Sequence, residues 1–369
     1  MATLANIDAT LNACFMSKIA LELVSPPGLG KTSKILQWAE ATGKKLKQPF
    51  GVCVRHLAVE DPVEVAGVSF ISTQHIMGED RETTTRSYPS LFPQPHEFEG
   101  GVIPKVGVIL LDEFRQAPHD TQKPAARLID EGKLGAYDLK DLGHWSVIMA
   151  SNRSSDRSGA NRELAFITNR KMVLSLDPNV DALADWMSLN NYDPLAIGFA
   201  KAFPGTVFTD KVPSHQNPFC TPRSFCRAVT YATAMGGANG LIDVSPGTVE
   251  GVAGLIGEGA AAEFMGYMRR VEDMVTVEEI LADPLKAAVP ERFDCVWAVV
   301  QTIIHHATTA NAIPFFTYIK RLPMEFQTTA VRSIVGKVKD LMFDASYAAW
   351  LQDNQQLIMA ALASDPSKS

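Results

Sequence analysis

The stretch VSPPGLGKTS, residues 24–33, sets two glycines at alternate positions ahead of a lysine and a hydroxyl residue. That combination suits an anion with several oxygens. A loop that binds phosphates points successive backbone N–H groups, and the positive end of the following helix, at its ligand. Glycine is needed where a Cβ would collide or where φ must be positive, and Gly28 and Gly30 hold the two inner positions. Lys31 would bring a charge to the phosphates and Thr32 a hydroxyl able to ligate magnesium. Ser25, Pro26, Pro27, Leu29 and Ser33 complete the loop. Ser25 stands where such loops usually have their first glycine; its small side chain still allows a tight turn, at some strain if φ is positive there. A chance Gly-Lys-Thr turn is the alternative, and the order strand, loop, helix speaks against it.

About eighty residues further on, VGVILLDEF (106–114) is an apolar strand ending in two carboxylates, Asp112 and Glu113. A strand end aimed at the loop puts Asp112 beside a magnesium ion and Glu113 beside an attacking water. Phosphoryl transfer to water needs both a metal clamp and a group that orients or deprotonates the nucleophile. An acidic pair at a strand end is common by itself. Both motifs in this order point to nucleoside triphosphate binding and hydrolysis.

The elements that must position these residues are legible as alternating strands and helices. IALELV (19–24) reads as a buried strand running into the loop, and KTSKILQWAEATGKK after it as a helix, with Gly43 suited to stop it. FGVCVRHLA (50–58), VGVILLD (106–112), WSVIMAS (145–151) and RKMVLSLDP (170–178) are further β-rich runs. Such alternation predicts right-handed βαβ units and a parallel sheet. The stretch 68–104, rich in Thr, Ser, Pro and Gly, is too long for a routine connection and reads as a functional or mobile loop. GKLGAYDLKDLGHW (132–145) reads as a β-hairpin. Beyond 178 the pattern turns helical, with Thr221 as cap and Pro222 at the first position of a helix through 235, and SDPSKS as a frayed tail.

With 369 residues, 46% of them hydrophobic and 20% charged, the chain can bury large cores in two or three domains. A net charge of -7 argues against passive coating of nucleic acid, while leaving room for a local basic lining. Five cysteines (Cys14, Cys53, Cys220, Cys226, Cys295), an odd number without a close CxxC pair, point away from a disulfide framework or zinc site and towards a reducing cytoplasm. Neither a signal peptide nor a membrane span is expected.

Taken with MASNR (149–153) and CTPRSF (220–225), the two motifs resemble those of the AAA+ ATPases, and within them the MoxR-type branch with an insert in its second helix, especially its phage and prophage members. VEDPVEVAG (59–67), LLDEFRQAPHDTQKPAARLIDEGKLG (110–135) and NRELAFITNR (161–170) extend the likeness over roughly residues 15–235. The resemblance implies an α/β P-loop core of the ASCE type over 1–178, with the insert at 68–104 and the hairpin at 132–145. A helical lid over 179–240 and a helical C-terminal extension over 241–369 follow. It implies ATP and Mg2+ as cofactors, and Asn152 as the sensor that reads the γ-phosphate or polarises the water. Arg170 matches the arginine finger that reaches a neighbouring subunit's nucleotide, a residue worth ~10³–10⁵ in rate in related NTPases. Arg157 and Arg162 are rivals for that role, and a surface arginine ahead of a strand is the plainer reading of Arg170. Arg223 matches a second sensor on the lid; its plainer reading is a solvent-facing residue of a first helical turn. Two features depart from the family: Ser25 itself, and the segment after 240, including GLIGEGAAAEFMGYMRR (254–270), which matches less specifically.

By the same resemblance the chain forms a homo-oligomer, a ring of six, that remodels a protein partner in a chaperone-like way. That partner often carries a von Willebrand A domain in MoxR-type systems. Tyr88, Phe92, Phe98, Tyr137 and Trp145 are the aromatics able to grip a substrate, though packing is the commoner role for each. The rival is a nucleic-acid motor, favoured by the locally basic YIKRLPMEFQTTAVRSIVGKVK (318–339) and opposed by the net charge and the few Lys and Arg in the inferred pore loops. A nucleotide-gated binding module with little turnover is a third reading, which Glu113, Asn152 and the finger candidates oppose.

Overall fold

The computed structural model of the chain describes residues 2–4, 6–156, 164–209, 212–213, 217–237, 241–271, 274–355 and 359. Contacts divide the chain into two units, Met1–Pro178 and Asn179–Ser369. The first contains β1 (Leu21–Ser25), β2 (Gly51–His56), β3 (Ser69–Ile76), β4 (Glu79–Arg86), β5 (Val106–Asp112), β6 (Lys133–Leu134), β7 (Tyr137–Asp138), β8 (His144–Asn152) and β9 (Met172–Ser175). Its helices are α1 (Asp8–Ser17), α2 (Lys31–Leu46), α3 (Pro62–Ala66), α4 (His119–Glu131), α5 (Leu139–Leu142) and α6 (Ala165–Thr168).

Five strands form a parallel sheet in the order β2-β5-β8-β1-β9. Alternation along the strands divides its residues between two apolar layers, as the period of two requires. Leu21, Leu23, Val108, Leu110, Ile148 and Ala150 pack with Leu11, Phe15, Ile35 and Trp38 from α1 and α2. Ile109, Leu111, Val147 and Met149 pack with Val65, Ala125, Leu128 and Ile129 from α3 and α4. Both faces are covered, which is why these strands are nearly continuous apolar runs. β8 is inserted between the loop strand β1 and the carboxylate strand β5, the additional-strand arrangement expected of an α/β P-loop fold.

Three local expectations change. The helix after the loop does not stop at Gly43 but runs to Leu46, with Lys47 in the left-handed region (φ 52). A Cβ at Gly43 would stand 3.0 Å from Phe50 Cβ, so close packing accounts for this glycine better than termination does. The long loop expected at 68–104 contains an antiparallel hairpin, β3 paired with β4 through Met77 and Gly78, both at positive φ (53 and 85). The hairpin expected over 132–145 shrinks to β6 and β7; α5 follows, and Trp145 belongs to β8. Among the aromatics singled out for gripping, Phe92 and Trp145 are buried. Tyr88 stands edge-on to Tyr137 at 4.9 Å, and Phe98 edge-on to Trp145 at 6.2 Å.

The second unit is helical: α7 (Val180–Leu189), α8 (Pro194–Ala202), α9 (Pro204–Val207), α10 (Pro222–Met235), α11 (Pro246–Ile256), α12 (Glu258–Val271), α13 (Val277–Ala282), α14 (Phe293–His306), α15 (Ala312–Ile319), α16 (Met324–Lys337) and α17 (Ala345–Asp353). Thr221 caps α10 as expected, its hydroxyl accepting from Ser224 N at 3.2 Å in a capping box. One apolar cluster gathers residues from Ala184 to Val271 with Ala298, and another gathers Ile280 to Tyr347. α14 contributes to both. Two cations of the basic stretch are engaged within the unit: Arg321 donates to the carbonyls of Pro284 and Ala287, and Lys337 to those of Ile304 and His305. Among the described residues, no helix is long and apolar enough to cross a membrane.

Packing in the sheet is close where the Trp145 indole covers two glycines on neighbouring strands. A Cβ at Gly107 would stand 2.5 Å from the Gly51 carbonyl oxygen and 2.6 Å from Trp145 Cη2. Neither atom can retreat easily, one being backbone and the other a buried ring whose Nε1 donates to the Pro104 carbonyl at 2.9 Å. Gly107→Ala is therefore expected to destabilise the first unit by ~2–3 kcal/mol through overpacking. Denaturant unfolding checks this; an unchanged midpoint would contradict the packing described.

Candidate active site

β1 ends in the phosphate-type loop because its pairing with β8 continues to Ser25, opposite Asn152. The chain then leaves the sheet through Pro26 and Pro27 and turns at Gly28 (φ 72) and Gly30 (φ 101). The left-handed conformation falls on these glycines and not on Ser25, so the anticipated strain at the serine does not arise. Gly30 precedes α2 without any side-chain cap, so the first turn of the helix presents backbone N–H groups as an anion site requires. Leu29 packs against the apolar layer beneath α2, and Ser33 is exposed on the first turn.

The Lys31 side chain is nearly buried and folds back over the loop. Its Nζ donates to Ser25 Oγ at 2.9 Å, to Asn152 Oδ1 at 3.1 Å and to the Pro26 carbonyl at 3.4 Å. Ser25, fully buried, donates its own hydroxyl proton to the Pro26 carbonyl at 2.9 Å. Thus the serine does more than tolerate its position: it supplies an oxygen to the loop lysine. Beside them Thr32 Oγ1 donates to Asp112 Oδ2 at 2.9 Å. A hydroxyl and a carboxylate in contact next to a lysine fit Mg2+, which takes one or two protein oxygens and fills its remaining positions with water and phosphate.

Glu113 follows at the start of the Phe114–Gln116 turn with φ 55 and ψ 35. A non-glycine residue in this left-handed region is uncommon, and such strain gathers at functional sites. Its backbone N–H donates to Asp112 Oδ1 at 3.0 Å, while the side chain is exposed. His56, at the end of β2, brings its Nδ1 to 3.8 Å from Asp112 Oδ2.

The sheet gathers Ser25, Lys31, Thr32, Asp112, Glu113 and Asn152 along the carboxyl ends of β1, β5 and β8. It does not bring Arg170 to them. Arg170 lies just before β9, whose Met172 pairs with Leu21 at the opposite end of β1, about 13 Å of strand away from Ser25 at ~3.3 Å per residue. There its Nε lies 3.4 Å from Asp130 Oδ2 and its guanidinium 5.7 Å from the Phe166 ring centroid. Arg223 is the exposed second residue of α10, in the second unit. Arg157 and Arg162 lie outside the described residues.

Two cavities in the first unit lie elsewhere. One of about 400 Å³ is lined by Arg55, Glu60, Glu64, Tyr88 and Glu97 among others, and one of about 350 Å³ by Lys18, Asp130, Lys133 and Trp145 among others. Sequence reasoning also missed Glu22, Arg115 and Lys171, which meet below the loop. The available signal was a glutamate inside the otherwise apolar strand LELV, since a charge there needs a partner.

No family model matches this sequence, and no curated protein matches it. Among solved structures it is similar to a candidate ATPase from Cytophaga hutchinsonii, at 13% identity over 72% of this chain and 89% of that one, with a TM-score of 0.31. At that score the likeness carries no argument about this chain.

The lysine's contacts yield a direct expectation. Lys31→Ala removes the loop's charge and should abolish binding of a fluorescent ATP analogue. Ser25→Ala removes one hydrogen bond to a nearly buried ammonium and should weaken binding about 5- to 30-fold, the effect of ~1–2 kcal/mol. Equal affinities for wild type and Ser25→Ala, by fluorescence titration, would deny the serine that role.

Proposed function

We propose that the chain is an ATP-hydrolysing, ring-forming ATPase of the AAA+ class, resembling the MoxR-type branch, that remodels a protein partner. The observation that carries this reading is the convergence of Lys31, Thr32, Asp112 and Asn152, from three strand ends, on one anion-ready helix terminus.

In this reading the N–H groups of the loop and Lys31 bind the β- and γ-phosphates, the lysine keeping its bond to Ser25 and exchanging its Asn152 and Pro26 acceptors for phosphate oxygens. Thr32 and Asp112 hold Mg2+, which when bound offsets the charge developing on the phosphates. Glu113, carried next to Asp112 on its strained turn, orients the attacking water and takes its proton. Asn152, on the strand between, fixes the water or the γ-phosphate. Arg170 lies at the far end of β1 from its own loop, which suits service to a neighbouring subunit's nucleotide. Arg223 acts from the lid. On this view 1–178 is the ATPase core, 179–240 the lid and 241–369 an extension. The ring has six members, and the partner is a protein such as one with a von Willebrand A domain.

The basic stretch gives the nucleic-acid motor less support than its sequence suggests, because Arg321 and Lys337 donate to carbonyls of their own unit, while Lys320 and Lys339 stay exposed. With a net charge of -7, long-range attraction to a polyanion is absent as well.

Glu113→Gln should keep ATP affinity and lose about 100-fold or more in phosphate release, the scale of general-base catalysis. Wild-type turnover in this variant would remove Glu113 from the assignment. Wild-type protein with ATP and Mg2+ should assemble by light scattering, because the site is completed by a second copy. Persistent monomers at micromolar protein would count against the ring. Added single- or double-stranded DNA should raise the ATPase less than about twofold and bind only at low salt; strong stimulation would favour the motor.

A further inference from the structure

One buried charge cluster in the first unit takes no part in holding phosphate. Glu22 lies in the middle of β1 with its side chain fully buried, on the face opposite Leu21 and Leu23. Its carboxylate accepts from Arg115 twice, Nε to Oε1 and Nη2 to Oε2, each at 2.8 Å. Lys171 Nζ, also fully buried, lies 2.8 Å from Oε2 and 4.7 Å from the Phe114 ring centroid. The Ser151 hydroxyl bonds to the same carboxylate, and its oxygen accepts from Arg115 N at 3.3 Å. Burial alone would raise the pKa of Glu22, but Arg115 and Lys171 more than reverse this and hold it below the ordinary carboxylate value.

The three partners are not scattered. Arg115 is two residues after Glu113 and on the same turn, Ser151 directly precedes Asn152, and Lys171 directly follows Arg170. We propose that Glu22 is a positioning residue that holds Glu113, Asn152 and Arg170 in one rigid frame, joining the chain's own hydrolytic site to the arginine it offers a neighbour. This rests on the ATPase reading above.

Stability alone is a poor reason for such a cluster, since buried ion triads can often be replaced by apolar side chains without loss. Orientation is a better one. A two-pronged arginine–carboxylate contact fixes direction as well as distance, and the turn it secures must hold Glu113 at φ 55. Lys171 anchors the backbone beside Arg170, leaving the Arg170 side chain, about one-third exposed, free to change partner.

The test compares wild type, Glu22→Gln and Arg115→Lys by steady-state ATPase, binding of a fluorescent ATP analogue and thermal melting. Glu22→Gln keeps the shape and removes the charge; Arg115→Lys keeps the charge and removes the two-pronged contact. Both should melt cooperatively and bind nucleotide within about threefold of wild type, while kcat falls about tenfold or more at unchanged KM, as small misplacements of catalytic groups do. Wild-type kcat in folded Glu22→Gln overturns the proposal, as does a loss of activity matched by an equal loss of nucleotide affinity. If Glu22→Gln fails to fold, Arg115→Lys decides by the same criterion, and failure of both to fold makes the cluster structural only. A wild-type chain without turnover sinks the ATPase reading itself, and this inference with it.

Discussion

The first unit hangs from β1. All five of its residues are buried, and it is paired on both edges, to β8 and to β9. A strand so enclosed admits polar groups only where they are compensated, and β1 carries two. Glu22 is answered by two cations, and Ser25 by the loop lysine. The same enclosure explains why serine can stand at the mouth of the loop. Strand pairing persists through Ser25 to its register partner Asn152, so the residue stays extended and the demand for glycine moves on to Gly28 and Gly30. What looks like a damaged motif is a strand that runs to its last residue before turning.

Much of this core was legible because it rests on local rules. Apolar runs bounded by turns marked the five sheet strands, and β5 was read to its last residue, Asp112. Thr221 and Pro222 announced α10. The failures share a cause of another kind. The β3–β4 hairpin is Thr-rich, and its few apolar residues, Phe70, Ile71 and Ile76, fall on both faces and belong to no core layer, so the strand period has nothing to show. Gly43 looked like a stop because its actual reason, the close approach of Phe50, comes from a strand start that packs beside the helix. Glu22 stands out as a charge in an apolar strand, but its partners do not: Arg115, Ser151 and Lys171 lie in three other segments, and only the sheet order brings them to it. Long-range pairing of charges leaves no periodic trace.

Within the proposed ring, the placement of Arg170 has a further consequence. The loop lies at the carboxyl end of β1 and Arg170 at its amino end, so Arg170 does not reach its own copy's loop along this sheet. Meanwhile Arg170 rests 3.4 Å from Asp130, both side chains more than a third exposed. A pair so open to solvent is held by ~1 kcal/mol or less. In such a ring a neighbour's triphosphate would offer the guanidinium charge-assisted, two-pronged bonds in place of Asp130. The fixed part of the device is the backbone at Lys171 and the movable part is the Arg170 side chain. Anchoring one residue while leaving the next one loosely paired is what an arginine offered across an interface requires.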